Sequence, residues 1–155
     1  MQSITVKAAY VIATFFGAGR APKAPGTVGS LAALPFAYAL WQMPVLWAWC
    51  IVIGLFTVGV WAAEVVIRDS GVEDPGWVVV DEVVGIFIST CLCSGSLWGY
   101  AGAFVLFRIF DIGKPYPVGY ADRRFKGGFG AMLDDAFAGG LALLVYYVFV
   151  KYVTL

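Results

Sequence analysis

The chain alternates long apolar runs with short polar interruptions. Residues 3–16 form a short mixed apolar segment, and residues 28–42 a longer one that contains Pro35. After the turn Gln42-Met43-Pro44, residues 45–63 (VLWAWCIVIGLFTVGVWAA) carry no charge. That run approaches the ~20 residues an α-helix needs to cross a bilayer. Residues 77–93 are apolar apart from Asp81 and Glu82, residues 97–110 are apolar up to Arg108, and residues 136–154 form the last long run. Glycine and proline punctuate the connections, and Ser94-Gly95-Ser96 reads as a second turn.

This pattern predicts an all-α fold: a compact multi-helix bundle integral to the membrane, with about four spanning or partly spanning helices. Residues 1–155 read as one domain, without internal repeat or low-complexity segment. Runs shorter than ~20 residues predict tilted, broken or re-entrant helices. Trp41, Trp77, Trp98, Tyr116, Tyr120 and Tyr152 stand near run ends, as in an interfacial aromatic belt.

Charge gives this topology a direction. If the loop 17–27 is cytoplasmic, 28–42 goes out, 45–63 returns, 77–93 goes out, 97–110 returns and 136–154 goes out. Arg20, Lys23, Arg68, Lys114, Arg123, Arg124 and Lys126 then share one side, the cytoplasmic one by the positive-inside rule. Lys151 falls at the outer end and dissents. The N-terminal 23 residues have the look of a weak signal peptide, but they lead directly into a chemically informative loop and read better as a partly buried or interfacial first helix.

Composition narrows the chemistry. Hydrophobic residues are 61% and charged residues 13%, against roughly 45–50% and about 25% in ordinary soluble domains. Net charge is zero, and no basic run suits nucleic acid, so none is expected as a partner. The chain has no histidine, which excludes phosphohistidine chemistry, Ser-His-Asp hydrolysis and ordinary histidine-ligated zinc. Cys50, Cys91 and Cys93 are odd in number and irregularly spaced, so they predict buried or lipid-facing thiols and no disulfide framework.

The acids are few and gathered. Asp81 and Glu82 are expected to start one apolar helix, Asp111 to end another, and Asp134 and Asp135 to start the last, all near the cytoplasmic interface. An acid within an apolar helix costs about 2.5–3.5 kcal/mol at mid-bilayer and less near the interface, and usually serves a function. A single aspartate at a helix start reads simply as a cap. Two helices that each begin with adjacent acids are poorly explained by capping alone. Gly85 follows Glu82 by three residues, Ala138 follows Asp134 by four and Gly139 follows Asp135 by four. Small residues on the same face allow close helix approach, so these acids are expected in helix contacts. Converging carboxylates repel one another, and a hard divalent cation relieves that repulsion.

Basic residues complete the constellation. Arg108 and Asp111 share a helix face three residues apart, and Gly113 and Pro115 end that helix around Lys114. Arginine binds phosphate as a fork and lysine as a point charge. The alternative for Arg108 is a local ion pair with Asp111. The loop GAGRAPKAPGTVGS (17–30), with Thr27 before an apolar helix, could form an anion site, though it lacks the Walker ending. The stretch 64–74 reads as a solvated face with a Glu64–Arg68 pair and no chemistry.

Four motifs, APGTVGSLAALP, DEVVG, FRIFDIGKPYP and DRRFKGGFGAMLDDAFAG, resemble the phosphatidylglycerophosphatase A family in order and spacing, over residues of about 17 to 140. The resemblance implies an all-helical, Mg²⁺-dependent bacterial phosphatase that converts phosphatidylglycerophosphate to phosphatidylglycerol. It implies that Asp81, Glu82, Asp134 and Asp135 are the family's acidic pairs. Arg108, Asp111 and Lys114 match its Arg-x-x-Asp-x-x-Lys-Pro stretch, Asp122 and Arg123 its Asp-Arg pair, and Gly127, Gly128 and Gly130 its glycine loop. Arg20, Lys23 and Lys126 stand where the pattern is less constant.

The reading is a multi-pass enzyme of the bacterial cytoplasmic membrane with its site on the cytoplasmic side. Asp81, Glu82, Asp134 and Asp135 are expected to hold Mg²⁺. Asp111 is a further ligand or the base for water, and Arg108, Lys114, Arg123 and Thr27 bind the substrate phosphate. The missing Asp-x-Asp signature favours direct water attack over an aspartyl-phosphate. The partners expected are the phospholipid substrate and the membrane, and no protein partner is evident. The rivals are a headgroup phosphotransferase with the same clamp, a phospholipid-binding subunit without turnover, and a small ion or proton transporter. Transport predicts acids at several depths.

Overall fold

Helix boundaries in the computed structural model, which describes residues 3–93 and 95–153, fall where local chemistry supplies a stop. The regular elements there are all helical: α1 (Ile4–Ala13), a 3₁₀ turn (Ala18–Arg20), α2 (Pro25–Leu40), α3 (Val45–Ser70), α4 (Val80–Ser89), α5 (Leu97–Gly113), α6 (Val118–Arg124) and α7 (Gly127–Val153). Ser3 caps α1 by accepting the Val6 N–H, and Ser96 caps α5 by accepting the Gly99 N–H. Proline at the first turn of α2 sacrifices no intrahelical bond. Gly71 ends α3 in the left-handed region, its N–H on the Ile67 carbonyl at 3.0 Å.

Helix α7 is the hub. It packs against α3, α4, α5 and α6, while α4 is wedged between α7 and α2. Helix α4 is almost wholly enclosed: Val80, Val83, Val84, Gly85, Ile86 and Phe87 are buried. Phe107 of α5 and Met132 of α7, both fully buried, fill the space around it. Gly85 and Gly139 bring α4 and α7 into backbone contact, since a Cβ on Gly139 would stand 3.1 Å from the Gly85 Cα.

The outer surfaces of the long helices are apolar. Helices α3 and α7 are each long and apolar enough to cross a membrane, yet only 28% of the most apolar window of each is buried. A soluble core helix of such composition hides most of its surface. Here Trp47, Ile51, Ile53, Leu144, Val148 and Phe149 face outward.

Several expected boundaries shift. The run 45–63 continues as helix through the charged residues to Ser70. The run 77–93 contains only the ten-residue α4, about 15 Å long and half the hydrocarbon thickness. Helices α2 and α5, with 16 and 17 residues, reach about 24–26 Å. Helix α7 begins at Gly127, not near residue 134. Helix α6 lies in a stretch with no apolar run to mark it.

Candidate active site

The N-termini of α2, α4 and α7 and the C-termini of α3 and α5 meet at one end of the bundle. Residues of α3, α4, α5, α6 and α7, with the segment 73–78, surround a cavity of about 470 Å³ there. Glu64, Glu73, Asp74, Asp81, Glu82, Asp111, Asp122, Asp134 and Asp135 all line it. The chain has ten acidic residues, so nine of ten point their chemistry at one cavity, and the tenth is Asp69. Only Lys114 and Lys126 line it from the basic side. An acid concentration of this kind repels anions unless cations offset it.

At its base, Asp81, Glu82 and Asp135 each offer a carboxylate oxygen, all within 4.8 Å of one another. Asp81 and Glu82 occupy the first turn of α4, whose N-cap is Val79, so neither is the cap. Asp135 sits two turns inside α7 and is 4% exposed, which rules out capping for it. Buried carboxylates cost several kcal/mol each unless paired or bound to metal. Glu82 Oε2 is buried without a hydrogen-bond partner. Three clustered oxygen donors, one orphaned, fit a hard divalent cation, which takes carboxylate and water oxygens. Gly26 of α2 presses on this group: a Cβ there would collide with Glu82 Oε1.

Two cations tie the acids to their helices. Arg108 Nη1 donates to Asp111 Oδ2 at 2.6 Å and lies 3.8 Å from Glu82 Oε1. The alternative local pair therefore forms, but the same guanidinium reaches the carboxylate cluster, and its buried Nε has no partner. Asp111 in turn interacts with Asp135 across the α5–α7 contact. Lys114 Nζ donates to Asp134 Oδ2 at 3.0 Å and to Asp122. Burial alone pulls the Lys114 ammonium down, but the two carboxylates outweigh it and hold its pKa above the ordinary lysine value.

The predicted residues thus separate. Asp81, Glu82 and Asp135 come together. Asp134, expected beside them, turns to Lys114. The two acids of α7 do not start the helix, so adjacency in sequence leads to different neighbours. Thr27 lies in the first turn of α2, next to Gly26 and hence near Glu82. Of the four residues expected to bind phosphate, only Lys114 lines the cavity; Thr27 and Arg108 stand behind Glu82, and Arg123 is on the exposed side of α6. Glu64 has a second role beyond its 2.8 Å pair with Arg68. It accepts the Gly128 N–H at 3.0 Å and so anchors the start of α7. Only a partner 64 positions away reveals that. Glu73 and Asp74 form the cavity wall between α3 and α4, and their loop composition held no signal of it. Of the cysteines, Cys93 is buried, Cys91 half-buried and Cys50 exposed on α3, all free.

Comparison with known proteins points the same way. The family model for phosphatidylglycerophosphatase A matches residues 11–150. The chain is 38% identical to the phosphatidylglycerophosphatase A of Escherichia coli over 140 residues, covering 89% of this chain and 81% of that protein. Against the phosphatidylglycerophosphatase A of Haemophilus influenzae it is 37% identical over 140 residues, covering 89% and 86%. A proposed phosphatidylinositol-3-phosphatase of Bacteroides thetaiotaomicron is 41% identical over 146 residues, covering 89% and 91%. No solved structure matches.

Proposed function

The chain belongs to the phosphatidylglycerophosphatase A family and is a membrane phosphoric monoester hydrolase; we propose that it removes the terminal phosphate of phosphatidylglycerophosphate in a Mg²⁺-dependent reaction. The observation that carries the metal dependence is the convergence of nine acids on the cavity that must receive an anionic headgroup. Without a cation, that cavity would repel its own substrate.

In this reading Asp81, Glu82 and Asp135 hold Mg²⁺, with Asp134 a ligand only if Lys114 releases it. Bound there, Mg²⁺ neutralises the carboxylates, polarises the phosphoryl group and makes water a better nucleophile. Arg108, with its unpartnered Nε, forks onto the terminal phosphate. Lys114 has three N–H donors, two of them engaged by Asp122 and Asp134, and gives the third to a phosphate oxygen. The first turn of α2, with Thr27 and no side-chain cap, adds backbone N–H groups. Asp111, held by Arg108, takes the proton of the attacking water or serves as a further ligand. Water oxygen bonds to phosphorus as the phosphorus–glycerol oxygen bond breaks, and the departing glycerol oxygen takes up a proton from Asp111 or solvent, leaving phosphatidylglycerol and inorganic phosphate. Arg123, exposed near the mouth, suits capture of the headgroup.

The same geometry supports a multi-pass topology in the bacterial cytoplasmic membrane, with α2 and α5 crossing or partly crossing beside α3 and α7. The site end carries Arg20, Lys23, Arg68, Lys114, Arg123, Arg124 and Lys126, so it faces the cytoplasm. The acids lie at that one end, as an interfacial phosphatase requires and a transporter does not. The relative with a phosphatidylinositol-3-phosphatase name supports one second reading, in which another phospholipid monoester is the substrate.

Phosphate release from phosphatidylglycerophosphate and from phosphatidylinositol 3-phosphate, in detergent with Mg²⁺ or excess EDTA, tests this. Magnesium-dependent release from the former is expected. Release that persists in EDTA defeats the metal assignment, and release only from the latter defeats the substrate.

A further inference from the structure

A second cavity, about 430 Å³, adjoins the acidic one and shares Gly76 with it. Tyr10, Arg20, Pro25 and Trp77 form most of its wall. Its chemistry is the reverse of its neighbour's. No acid lines it, its one charge is the exposed Arg20, and the rest is largely apolar. The indole Nε1 of Trp77 is buried without an acceptor, an expensive state for a donor unless a ligand completes it.

The surroundings hold this cavity in shape. The Val79 N–H bonds to the Ala13 carbonyl at 2.8 Å, stitching the segment before α4 to the end of α1. Gly19 lies so close to the Trp77 carbonyl that any Cβ would collide with it. The unsatisfied indole therefore belongs to a packed segment.

We propose that the cavity formed by Tyr10, Arg20, Pro25, Gly76 and Trp77 is a second headgroup subsite, which receives the phosphodiester joining diacylglycerol to the terminal phosphoglycerol. This rests on the reading of the acidic cavity as the site of monoester hydrolysis. The substrate carries two anionic groups separated by one glycerol. The monoester needs the acidic cavity and its cation. The diester has a single charge and an apolar attachment, which match one guanidinium, one free indole N–H and apolar walls. Gly76, without a side chain between the two cavities, lets the glycerol pass. Arg20 and Trp77 thereby select lipids with a diester one glycerol away from the scissile phosphate, and both are specificity residues remote from the reacting atoms.

The test uses the full chain in detergent and the variants Arg20→Gln and Trp77→Phe, the latter keeping an aromatic ring while deleting the N–H and part of the indole's volume. The readouts are KM and kcat with phosphatidylglycerophosphate, and Ki for phosphatidylglycerol, which keeps the diester, and for inorganic phosphate, which probes the acidic cavity alone. Arg20→Gln should raise KM and the phosphatidylglycerol Ki about three- to tenfold, with kcat within about twofold, as for an exposed charge pair. Trp77→Phe should raise both about two- to threefold, and the melting temperature reads the balance between the unsatisfied donor removed and the packing volume lost. Unchanged KM and Ki in both variants, or an equal rise in the inorganic phosphate Ki, would overturn the subsite. Should the wild type release no phosphate, the hydrolytic reading fails. Phosphatidylglycerol binding in mixed micelles still decides the subsite, because weaker binding by Arg20→Gln supports it and equal binding refutes it.

Discussion

Lys114 at the end of α5 and Asp134 inside α7 meet at 3.0 Å, and the same ammonium holds Asp122 of α6. One cation thus fastens three helices and draws Asp134 out of the carboxylate cluster. Lys114→Met strands Asp134, whose side chain is 9% exposed. The expected cost is about 1–3 kcal/mol of stability, since an uncompensated buried charge is left, and phosphate release should fall about 100-fold. Adding Asp134→Asn should restore much of the stability and little of the activity. Denaturant titration and phosphate release on the single and double variants check both statements; full recovery of activity in the double variant would make the pair purely structural.

The raised pKa of Lys114 gives a pH signature. A cation held above its unfolded value contributes stability fully below that unfolded value, and loses it only as pH rises through the folded one. The stability gap between wild type and Lys114→Met should therefore persist through about pH 9 and shrink only above the ordinary lysine range near ~10.4. Melting curves across that range measure it. A gap that closes below pH 9 would mean the ammonium is not stabilised by its two carboxylates.

The cluster of Asp81, Glu82 and Asp135 should trade stability for function. Without metal, three carboxylates within 4.8 Å repel one another. Asp135→Asn relieves that repulsion, so the metal-free protein should gain about 1 kcal/mol, while phosphate release falls at least ~100-fold and Mn²⁺ binding weakens. Melting in EDTA and Mn²⁺ titration separate this from a scaffold role, in which the variant would lose stability.

How much of this was legible in the sequence follows from range. The acids, the Arg108–Asp111 pair and the small residues behind the acids are local patterns, and Gly85 does meet Gly139 at the α4–α7 contact. The start of α7 was hidden because Gly127, Gly128 and Gly130 read as loop, each costing about 1 kcal/mol in a helix. Packing requires glycine there: Gly127 has a φ of +69° at the helix start, a Cβ on Gly128 would strike the Val60 carbonyl, and one on Gly130 the Phe125 carbonyl. Tertiary closeness overrides propensity there. Glu64 looked like a solvated residue because its second partner, Gly128, is distant in sequence. The split between Asp134 and Asp135 follows from the 100° step between successive helix positions once the helix is known to begin before them.

That closeness of α4 and α7 yields the last prediction. A Cβ at Gly139 would lie 2.5 Å from the Gly85 carbonyl oxygen, a backbone atom that cannot swing aside, whereas one at the adjacent Gly140 meets nothing within 4 Å. Gly139→Ala must push α4 from α7, and with it Asp81 and Glu82 from Asp135. Activity should drop at least about tenfold, since small misplacements of a site cost that much or more, and the Mg²⁺ concentration for half-maximal rate should rise. Gly140→Ala should keep wild-type activity and gain up to about 1 kcal/mol from helix propensity. Phosphate release at graded Mg²⁺ for the two variants decides it. Equal behaviour of the two would show that the site does not depend on the α4–α7 spacing, and the three carboxylates would lose their claim to act as one ligand set.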